Sequence, residues 1–476
     1  MSAPTHTSVR ENTETYRAPA EAGAPRLTGI RGATTVEDAA PRVVELERYD
    51  TADLRLATSG IVLAIHRTDE RAVWRLDLPD AVDGERLERP APGVDPDLPA
   101  ELLDVVHGVL RGAPVGPVGR IRRVRHEQVL RDGRRRETAT LTRDEVQLAT
   151  FGAAARLENW TETAVRLTLV APAGLGGALA DALGETGATP TGGDAEAELD
   201  RLLREAAAPR PERATLRRKH PGGPVLAYVA RHVDVLAAED IRARRDEYDA
   251  VHQLRVSARR IRSALQAYRP ILDPVRTGGL VAELRWLGQV LAPSRDLEVL
   301  EERIGREIAG LPPELVLGPV RAQVTRHFAR SRAEARAAML EALDGARYAA
   351  LRGALERFLQ DPPVANPRAR GGLAALERKA RRRFDRRLRA ARSGEGIHDA
   401  RKAAKRLRYA LEVTGGKTGR LKRVQKQLGA HQDAVVALGA LRDLGARAHA
   451  EGENGFTFGL LHGRISAEAA RISAAL

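Results

Sequence analysis

The chain of 476 residues contains no cysteine. Disulfide bridges, thiolate nucleophiles and cysteine-ligated metal sites are therefore excluded, and packing and polar contacts must hold the fold together. Aromatic residues are also scarce, because Phe, Trp and Tyr together make up 3% of the chain. Proteins that bind single-stranded nucleic acid commonly stack bases on aromatic rings, so this scarcity disfavours nucleic acid as a partner.

Long hydrophobic runs are missing as well. No apolar segment reaches the roughly 18 residues that a membrane-spanning helix needs. The amino terminus does not show the charged, apolar and small-residue order of a secretory signal. We therefore expect a soluble cytoplasmic protein with no membrane partner, and a chain of this length normally forms more than one domain.

Acidic residues are under-represented in the second half of the chain. Residues 221–476 carry 47 Lys and Arg against 29 Asp and Glu, whereas residues 1–220 carry 31 against 35. Within residues 371–430 there are 19 basic and 5 acidic side chains. Such a local excess of positive charge repels itself unless an anion compensates it, so we expect an anionic partner.

The two parts of the chain also differ in hydrophobic periodicity. Residues 1–203 contain alternating segments such as VVELERYDT, IVLAIHR and AVWRLDLP, a hairpin signal at RDGR, and two short helical patterns. Residues 204–221 are rich in proline and charge and predict a linker. From residue 222 to 476, apolar residues recur with the helical period. The sequence thus predicts an α+β multidomain protein, with an antiparallel β domain followed by an all-α domain.

The helical part contains an internal repeat. VHQLRVSARRIRSAL (251–265) matches IHDARKAAKRLRYAL (397–411) at 7 of 15 positions. A weaker echo relates LRWLGQVLAPSRDLEVL (284–300) to LKRVQKQLGAHQDAVVA (421–437). Repeats of this kind predict two equivalent helical halves packed about a pseudo-twofold axis.

Each copy of the repeat places four cationic or titratable side chains on one helix face. At about 100° per residue, they lie within a sector of roughly 80°, directly beside an apolar stripe. The first row consists of His252, Arg255, Arg259 and Arg262, and the second of His398, Arg401, Lys405 and Arg408.

No acidic residue lies between positions 251 and 269 or between 401 and 411. Like charges on successive helical turns destabilise a helix that has no compensating anion. A solvated surface face is the simpler reading of one such row, and a hydrogen-bonded structural role is the simpler reading of one histidine. The duplication favours a shared anion site instead. A linear phosphate polymer needs only Arg forks and Lys point charges along a groove, so it fits better than nucleic acid.

These motifs, together with the terminal ENGFTFGLLHGR, resemble the CHAD domain, the conserved-histidine α-helical domain, over residues 222–476. The resemblance implies two pseudo-symmetric four-helix bundles around a basic pore that binds inorganic polyphosphate. It implies that both rows line this pore. The neighbouring LKRVQKQLG helix would add Lys422 and Lys426, and the preceding basic helix would add Lys379, Arg383 and Arg386.

Residues 1–203 resemble, in a degenerate form, the CYTH domain of the triphosphate tunnel family. That resemblance implies an eight-stranded antiparallel barrel in which cations hold a triphosphate and glutamates hold a metal. Here Thr13 and Thr15 stand at the second Glu and the Lys of the amino-terminal signature, after Glu11. Asp77 stands at the substrate lysine, and Ala164 and Arg166 replace acids beyond Glu162.

These few carboxylates are not enough to hold a metal ion, which argues against catalysis by the first domain. We therefore expect neither a catalytic residue nor a cofactor. Its remaining candidate anion contacts are Arg67, Arg120, Arg122, Arg123 and Arg125. The expected function is polyphosphate binding by the helical domain, and this function would allow location at polyphosphate granules. The alternatives are a Mg- or Mn-dependent triphosphate or polyphosphate hydrolase that uses the first domain, and a nonspecific nucleic-acid binder.

Overall fold

The computed structural model describes residues 13–79, 84–93, 96–152, 155–206, 212–216, 220–364, 372–392 and 397–474. The chain separates into two compact units, Met1–Arg210 and Pro211–Leu476. An antiparallel sheet domain followed by a helical domain is the architecture that the sequence predicts. The predicted domain limits at residues 203 and 222 remain predictions.

The first unit is built on one antiparallel sheet. Its strands are β1 (Thr13–Pro19), β2 (Thr35–Asp38), β3 (Arg42–Thr51), β4 (Val62–Thr68), β5 (Ala72–Asp77), β6 (Arg86–Pro90), β7 (Val115–Arg131), β8 (Glu137–Thr150), β9 (Arg156–Leu167) and β10 (Thr189–Thr191). The order is β10-β1-β9-β8-β7-β3-β4-β5-β6, with β2 paired to β7. The RDGR hairpin joins β7 to β8, where the Asp132 carboxylate accepts hydrogen bonds from the amides of Arg134 and Arg136.

The described strands form an open sheet and not the closed eight-stranded barrel that the resemblance implied. Strands β10 and β6 end the order, and no ladder joins them within the described residues. Strand β10 is three residues long with Pro190 at its centre, and β6 ends at Pro90. Proline cannot donate to a ladder, so neither edge offers a full row of donors for a further strand.

Three helices accompany this sheet: α1 (Ala100–Leu110), α2 (Leu175–Gly184) and α3 (Ala195–Ala206). Helix α2 packs on one set of buried sheet residues, and α3 packs on another. Gly119 on β7 permits the close approach of α3, because a Cβ atom at this position would lie 2.7 Å from Leu199 Cδ1. The sheet therefore has two separate cores, each sealed by a helix.

The second unit is helical. Its helices are α4 (Gly223–Arg244), α5 (Ala250–Ala267), α6 (Pro274–Val290), α7 (Ala292–Ala309), α8 (Val320–Asp344), α9 (Ala346–Gln360), α10 (Gly372–Arg392), α11 (Ile397–Val413), α12 (Gly419–Ala450) and α13 (Phe456–Ala474). Arg213, inside the predicted linker, binds Asp234 on α4 and Glu356 on α9. Among the described helices, none contains an apolar stretch of the length that a membrane span requires.

Helices α4, α5, α6 and α9 supply most of one hydrophobic core, and α7, α8, α12 and α13 supply a second. A smaller core joins α10, α11 and the start of α12. Helix α12 continues through the position that corresponds to the break between α6 and α7. Pro293 lies at this break, and the repeat places Ala430 at the equivalent site, so proline accounts for the interruption in one copy only.

Candidate anion-binding site

The first row of the repeat lies on α5 and is named the α5 row, and the second lies on α11 and is named the α11 row. The α5 row lies beside the first core. The apolar stripe predicted next to it is fully packed, since Val251, Leu254, Ile261 and Leu265 are at most 5% exposed. The four row residues on the adjoining face are half-buried. Packing of the apolar stripe thus fixes the rotation of α5 and holds its cations at the border between core and solvent.

Helix α11 packs against α5, and the two rows meet at the hydroxyl group of Tyr409. Arg259 Nε of the α5 row lies 2.7 Å from this oxygen, and Arg408 Nη2 of the α11 row lies 3.0 Å from it. The Tyr409 side chain is 1% exposed, so it forms part of the base of the contact. We name the surface formed by both rows at this contact the cationic groove.

The electrostatics of Lys405 also link the rows. Burial, followed by the charges of Arg401, Arg259, Arg408 and Arg255, lowers the pKa of Lys405 to about 8. Two of these arginines belong to α5 and two belong to α11. Cations from both helices therefore act on one lysine, which places them in a common positive field.

Burial and neighbouring cations also lower the pKa values of two further groups of the α5 row. Burial and the charge of Arg295 lower the pKa of His252 below its usual 6.5. Burial and the charge of Arg285 lower the pKa of Arg262 from its usual value, although arginine keeps its charge at any physiological pH. His252 is consequently a neutral hydrogen-bonding group near pH 7, and the arginines supply the charge.

Acidic side chains compensate a part of the groove. Arg255 Nη1 lies 2.9 Å from Asp296 Oδ1, although the Asp296 carboxylate is 70% exposed. Arg408 and Arg260 each lie 3.3 Å from a carboxylate oxygen of Glu412. Surface pairs of the first kind contribute little and exchange readily with another anion, whereas Glu412 is 14% exposed and acts as a fixed counter-charge.

The remaining predicted contacts do not all join the groove. The side chains of His398 and Lys426 lie outside the described residues, and Lys422 is exposed on α12. Lys379 and Arg383 line a different cavity together with Arg406, and Arg386 is exposed on α10. Within the described side chains, the groove is therefore formed by His252, Arg255, Arg259, Arg262, Arg401, Lys405 and Arg408.

Two residues of this region were missed by the sequence reasoning. Burial and the charge of Arg285 on α6 lower the pKa of Arg262, and Arg285 is the counterpart of Lys422 in the weaker echo. That alignment could have found it. Tyr409 could not have been found in the same way, because its counterpart in the first copy is Ser263, which has no aromatic hydroxyl to bridge the rows.

In the sheet domain, the five candidate arginines carry acidic partners. Glu47 receives Arg120 at 2.7 Å and Arg67 at 3.4 Å. Asp144 receives both Nε and Nη2 of Arg125. Arg122 lies 3.5 Å from Glu45, and Arg123 lies 3.8 Å from Asp144. Their charge is locally compensated, whereas Arg401 and Lys405 form no ion pair with any side chain that the structure describes.

Asp77, one of the substituted positions of this domain, also has arginine partners within the protein. Asp77, at the place of the substrate lysine, binds Arg86 at 2.7 Å and Arg75 at 3.1 Å. Glu162 is buried between β1 and β8, and burial raises the pKa of its carboxyl group. Glu11 lies outside the described residues. Within the described part of the chain, no cluster of three or more His, Asp and Glu side chains has the geometry of a metal site.

The chain is similar to other protein sequences and to solved structures. The chain is 32% identical over 464 residues to the uncharacterized protein MT2285 of Mycobacterium tuberculosis, covering 92% of this chain and 89% of that protein. A CHAD domain structure from Ricinus communis aligns with 25% identity and a TM-score of 0.41, covering 56% of this chain and 94% of that one.

For the N-terminal part, a Hippeastrum protein studied as an adenylyl cyclase, and reported to have a dominant triphosphatase activity, aligns with 16% identity and a TM-score of 0.23. It covers 40% of this chain and 94% of its own.

The CHAD domain family model matches residues 227–442, which contain α5, α11 and the groove. The chain therefore belongs to the CHAD domain family.

Proposed function

We propose that the protein binds inorganic polyphosphate in the cationic groove of its helical domain. The observation that carries this proposal is the meeting of the two rows, where Arg259 from α5 and Arg408 from α11 share the hydroxyl group of Tyr409. Glu412 compensates Arg408, whereas Arg259 forms no ion pair among the described residues, so the repulsion between these two arginines favours an anion that lies across them. A phosphate chain supplies one negative charge per repeating unit, which suits cations spaced along two helices.

Several features support a phosphate polymer over nucleic acid. The groove side chains are Arg, Lys and His, and the aromatic ring of Tyr409 is buried, so it is unavailable for base stacking. Arginine forks bind phosphate oxygens in pairs, and lysine acts as a compact point charge. Competition between polyphosphate and RNA at physiological salt would separate the two ligands, and we expect polyphosphate to displace RNA.

The test is equilibrium binding of long-chain polyphosphate to the full chain and to Arg259→Glu/Lys405→Glu. Each lost charge-assisted contact is worth about tenfold in affinity, so we expect a loss of about a hundredfold or more. Lys402→Glu/Arg423→Glu is the matched control, because it makes the same change in charge at exposed positions on α11 and α12. The control should lose much less.

Charge reversal at half-buried positions could unfold the domain, so circular dichroism must accompany the measurement. Arg259→Gln/Lys405→Gln provides a milder second variant, for which we expect about a tenfold loss and a weaker dependence of affinity on salt. Unchanged binding by a folded groove variant, or an equal loss in the control pair, would refute the proposal.

The competing hydrolase hypothesis is tested on the same protein. Phosphate release from tripolyphosphate in the presence of Mg or Mn, abolished by Glu11→Gln, would support catalysis by the sheet domain. The compensated arginines of that domain favour the opposite result, because a triphosphate would have to displace Glu47 and Asp144 from their partners. We expect no release above that of a heat-denatured sample.

A further inference from the structure

A second basic cavity lies on the other side of α11. Its volume is about 450 Å³, and its described lining includes no side chain of the two rows. Helix α11 contributes Ala403, Arg406 and Ala410 to its wall, and these positions lie on the face roughly opposite to the α11 row. The C-terminal end of α5 and the middle of α10 complete the wall.

The polar lining of this cavity is cationic. Arg269 follows α5, Lys379 and Arg383 lie one turn apart on α10, and Arg406 lies on α11. Gln266 is among the neutral polar groups, and no acidic side chain occurs among the described residues of the lining. Within the described part of the chain, no ion pair is formed by any of these four cations.

The internal repeat shows how the same position is neutralised in the other half. Arg406 corresponds to Arg260, and Gln266 corresponds to Glu412, because both pairs are 146 residues apart. Arg260 has its counter-charge within the protein, since its Nε lies 3.3 Å from Glu412. In the half that contains Arg406, the carboxylate is replaced by the neutral amide of Gln266.

The space beside Arg260 is also filled, unlike the space beside Arg406. The Tyr228 hydroxyl donates a hydrogen bond of 2.9 Å to Glu412, and His232 packs edge-on against the Tyr228 ring. Tyr228 and His232 are both 4% exposed. One half of the repeat thus provides a carboxylate and covers it, while the other provides neither and leaves an open basic cavity.

We propose that this cavity is a second anion site, which takes a short phosphate chain in the role that the Glu412 carboxylate has in the other half. Four cations in one concave site suit a ligand with several adjacent negative charges. The volume lies within the roughly 300–1,000 Å³ of small-ligand sites. The phosphate chain is either a free oligophosphate or the end of a longer polymer, and the proposal does not depend on the groove binding polyphosphate.

The most direct test is Gln266→Glu, which restores the carboxylate found in the other half. Isothermal titration with tripolyphosphate should give one binding equivalent assigned to the cavity in the wild-type chain. Gln266→Glu should weaken that equivalent at least about tenfold, because Arg406 gains an internal partner. Gln289→Glu on the exposed surface of α6 is the matched control and should leave it unchanged.

A second pair of variants tests the cavity wall. Lys379→Ala/Arg383→Ala should remove the same equivalent, whereas Arg378→Ala/Arg382→Ala, on the same helix with the same loss of charge, should retain it. Arg259→Glu/Lys405→Glu should also retain it, which separates failure of the groove from failure of the cavity. If Gln266→Glu and Lys379→Ala/Arg383→Ala both bind tripolyphosphate as the wild type does, the cavity is not an anion site.

Titration with long-chain polyphosphate identifies the source of the ligand. If a polymer end enters the cavity, both cavity variants should bind the polymer several-fold more weakly at equal chain concentration. If the ligand is a free oligophosphate, the polymer affinity should stay within about twofold while the tripolyphosphate equivalent is lost. Either result, together with loss of that equivalent, supports the site.

Discussion

The pH dependence of polyphosphate binding provides a sharp test of the groove. Lys405 has a pKa of about 8 in the folded chain, below its ordinary value of 10.5, because it is buried among arginines from both rows. A bound phosphate chain stabilises the protonated amine, so binding raises this pKa again. Between about pH 8 and 10.5, binding must therefore include the uptake of a proton by Lys405.

The expected size of the effect follows from this pKa. At pH 9, a lysine with a pKa of about 8 is protonated in about one molecule in ten, and this lowers the affinity by up to about tenfold relative to pH 7. The arginines of the groove keep their charge over this interval. His252 does not titrate in it either, since burial and Arg295 hold its pKa below 6.5.

The assay is a series of polyphosphate binding isotherms from pH 7 to 9.5 at constant ionic strength. Lys405→Met removes the titrating amine and should give a weaker affinity that is nearly independent of pH. Lys402→Met, at an exposed position of the same helix, should retain the wild-type profile. An affinity that changes less than twofold in the wild type, or a profile that survives in Lys405→Met, would refute this account of the groove.

The stability of the unliganded protein should change in the opposite direction. Because the folded pKa of Lys405 lies below its unfolded value, the unfolded chain binds more protons between about pH 8 and 10.5. The contribution of Lys405 to the free energy of unfolding therefore rises with pH over this interval, while the affinity for polyphosphate falls. Denaturant titrations of wild type and Lys405→Met would separate this contribution from those of other groups.

Three further predictions concern single side chains. Tyr409→Phe removes the acceptor shared by both rows and should weaken polyphosphate binding several-fold, with a loss of about 1 kcal/mol in the free energy of unfolding measured by urea titration. Glu412→Leu leaves Arg260 and Arg408 without their carboxylate and should cost about 3 kcal/mol by the same method, without weakening polyphosphate binding. Asp144→Ala removes the two-point contact with Arg125 and should destabilise the sheet domain by about 3 kcal/mol, while polyphosphate binding stays unchanged; equal losses of binding in Asp144→Ala and Tyr409→Phe would contradict the assignment of binding to the helical domain.

Periodicity and repetition in the sequence determined which faces of α5 and α11 are apolar and which are cationic. Val251, Leu254, Ile261 and Leu265 are buried as the pattern predicts, because burial of one helix face necessarily leaves the adjoining face at the surface. The sequence also revealed the substitutions in the first domain relative to the triphosphate tunnel family. The CHAD family followed from five motifs in order, and the family model confirms it.

Only the tertiary structure decided which cations share a site. Lys379 and Arg383 are of the same residue types as members of the rows and have a similar helical spacing, yet they line a separate cavity with Arg406. The sequence also did not predict three further features. These are the open sheet, the acidic partners of Arg67 and Arg120, and the bridging role of Tyr409. Helical periodicity fixes directions about a single axis, whereas the grouping of side chains from different helices depends on how those axes pack, and packing depends on contacts between residues that are distant in sequence.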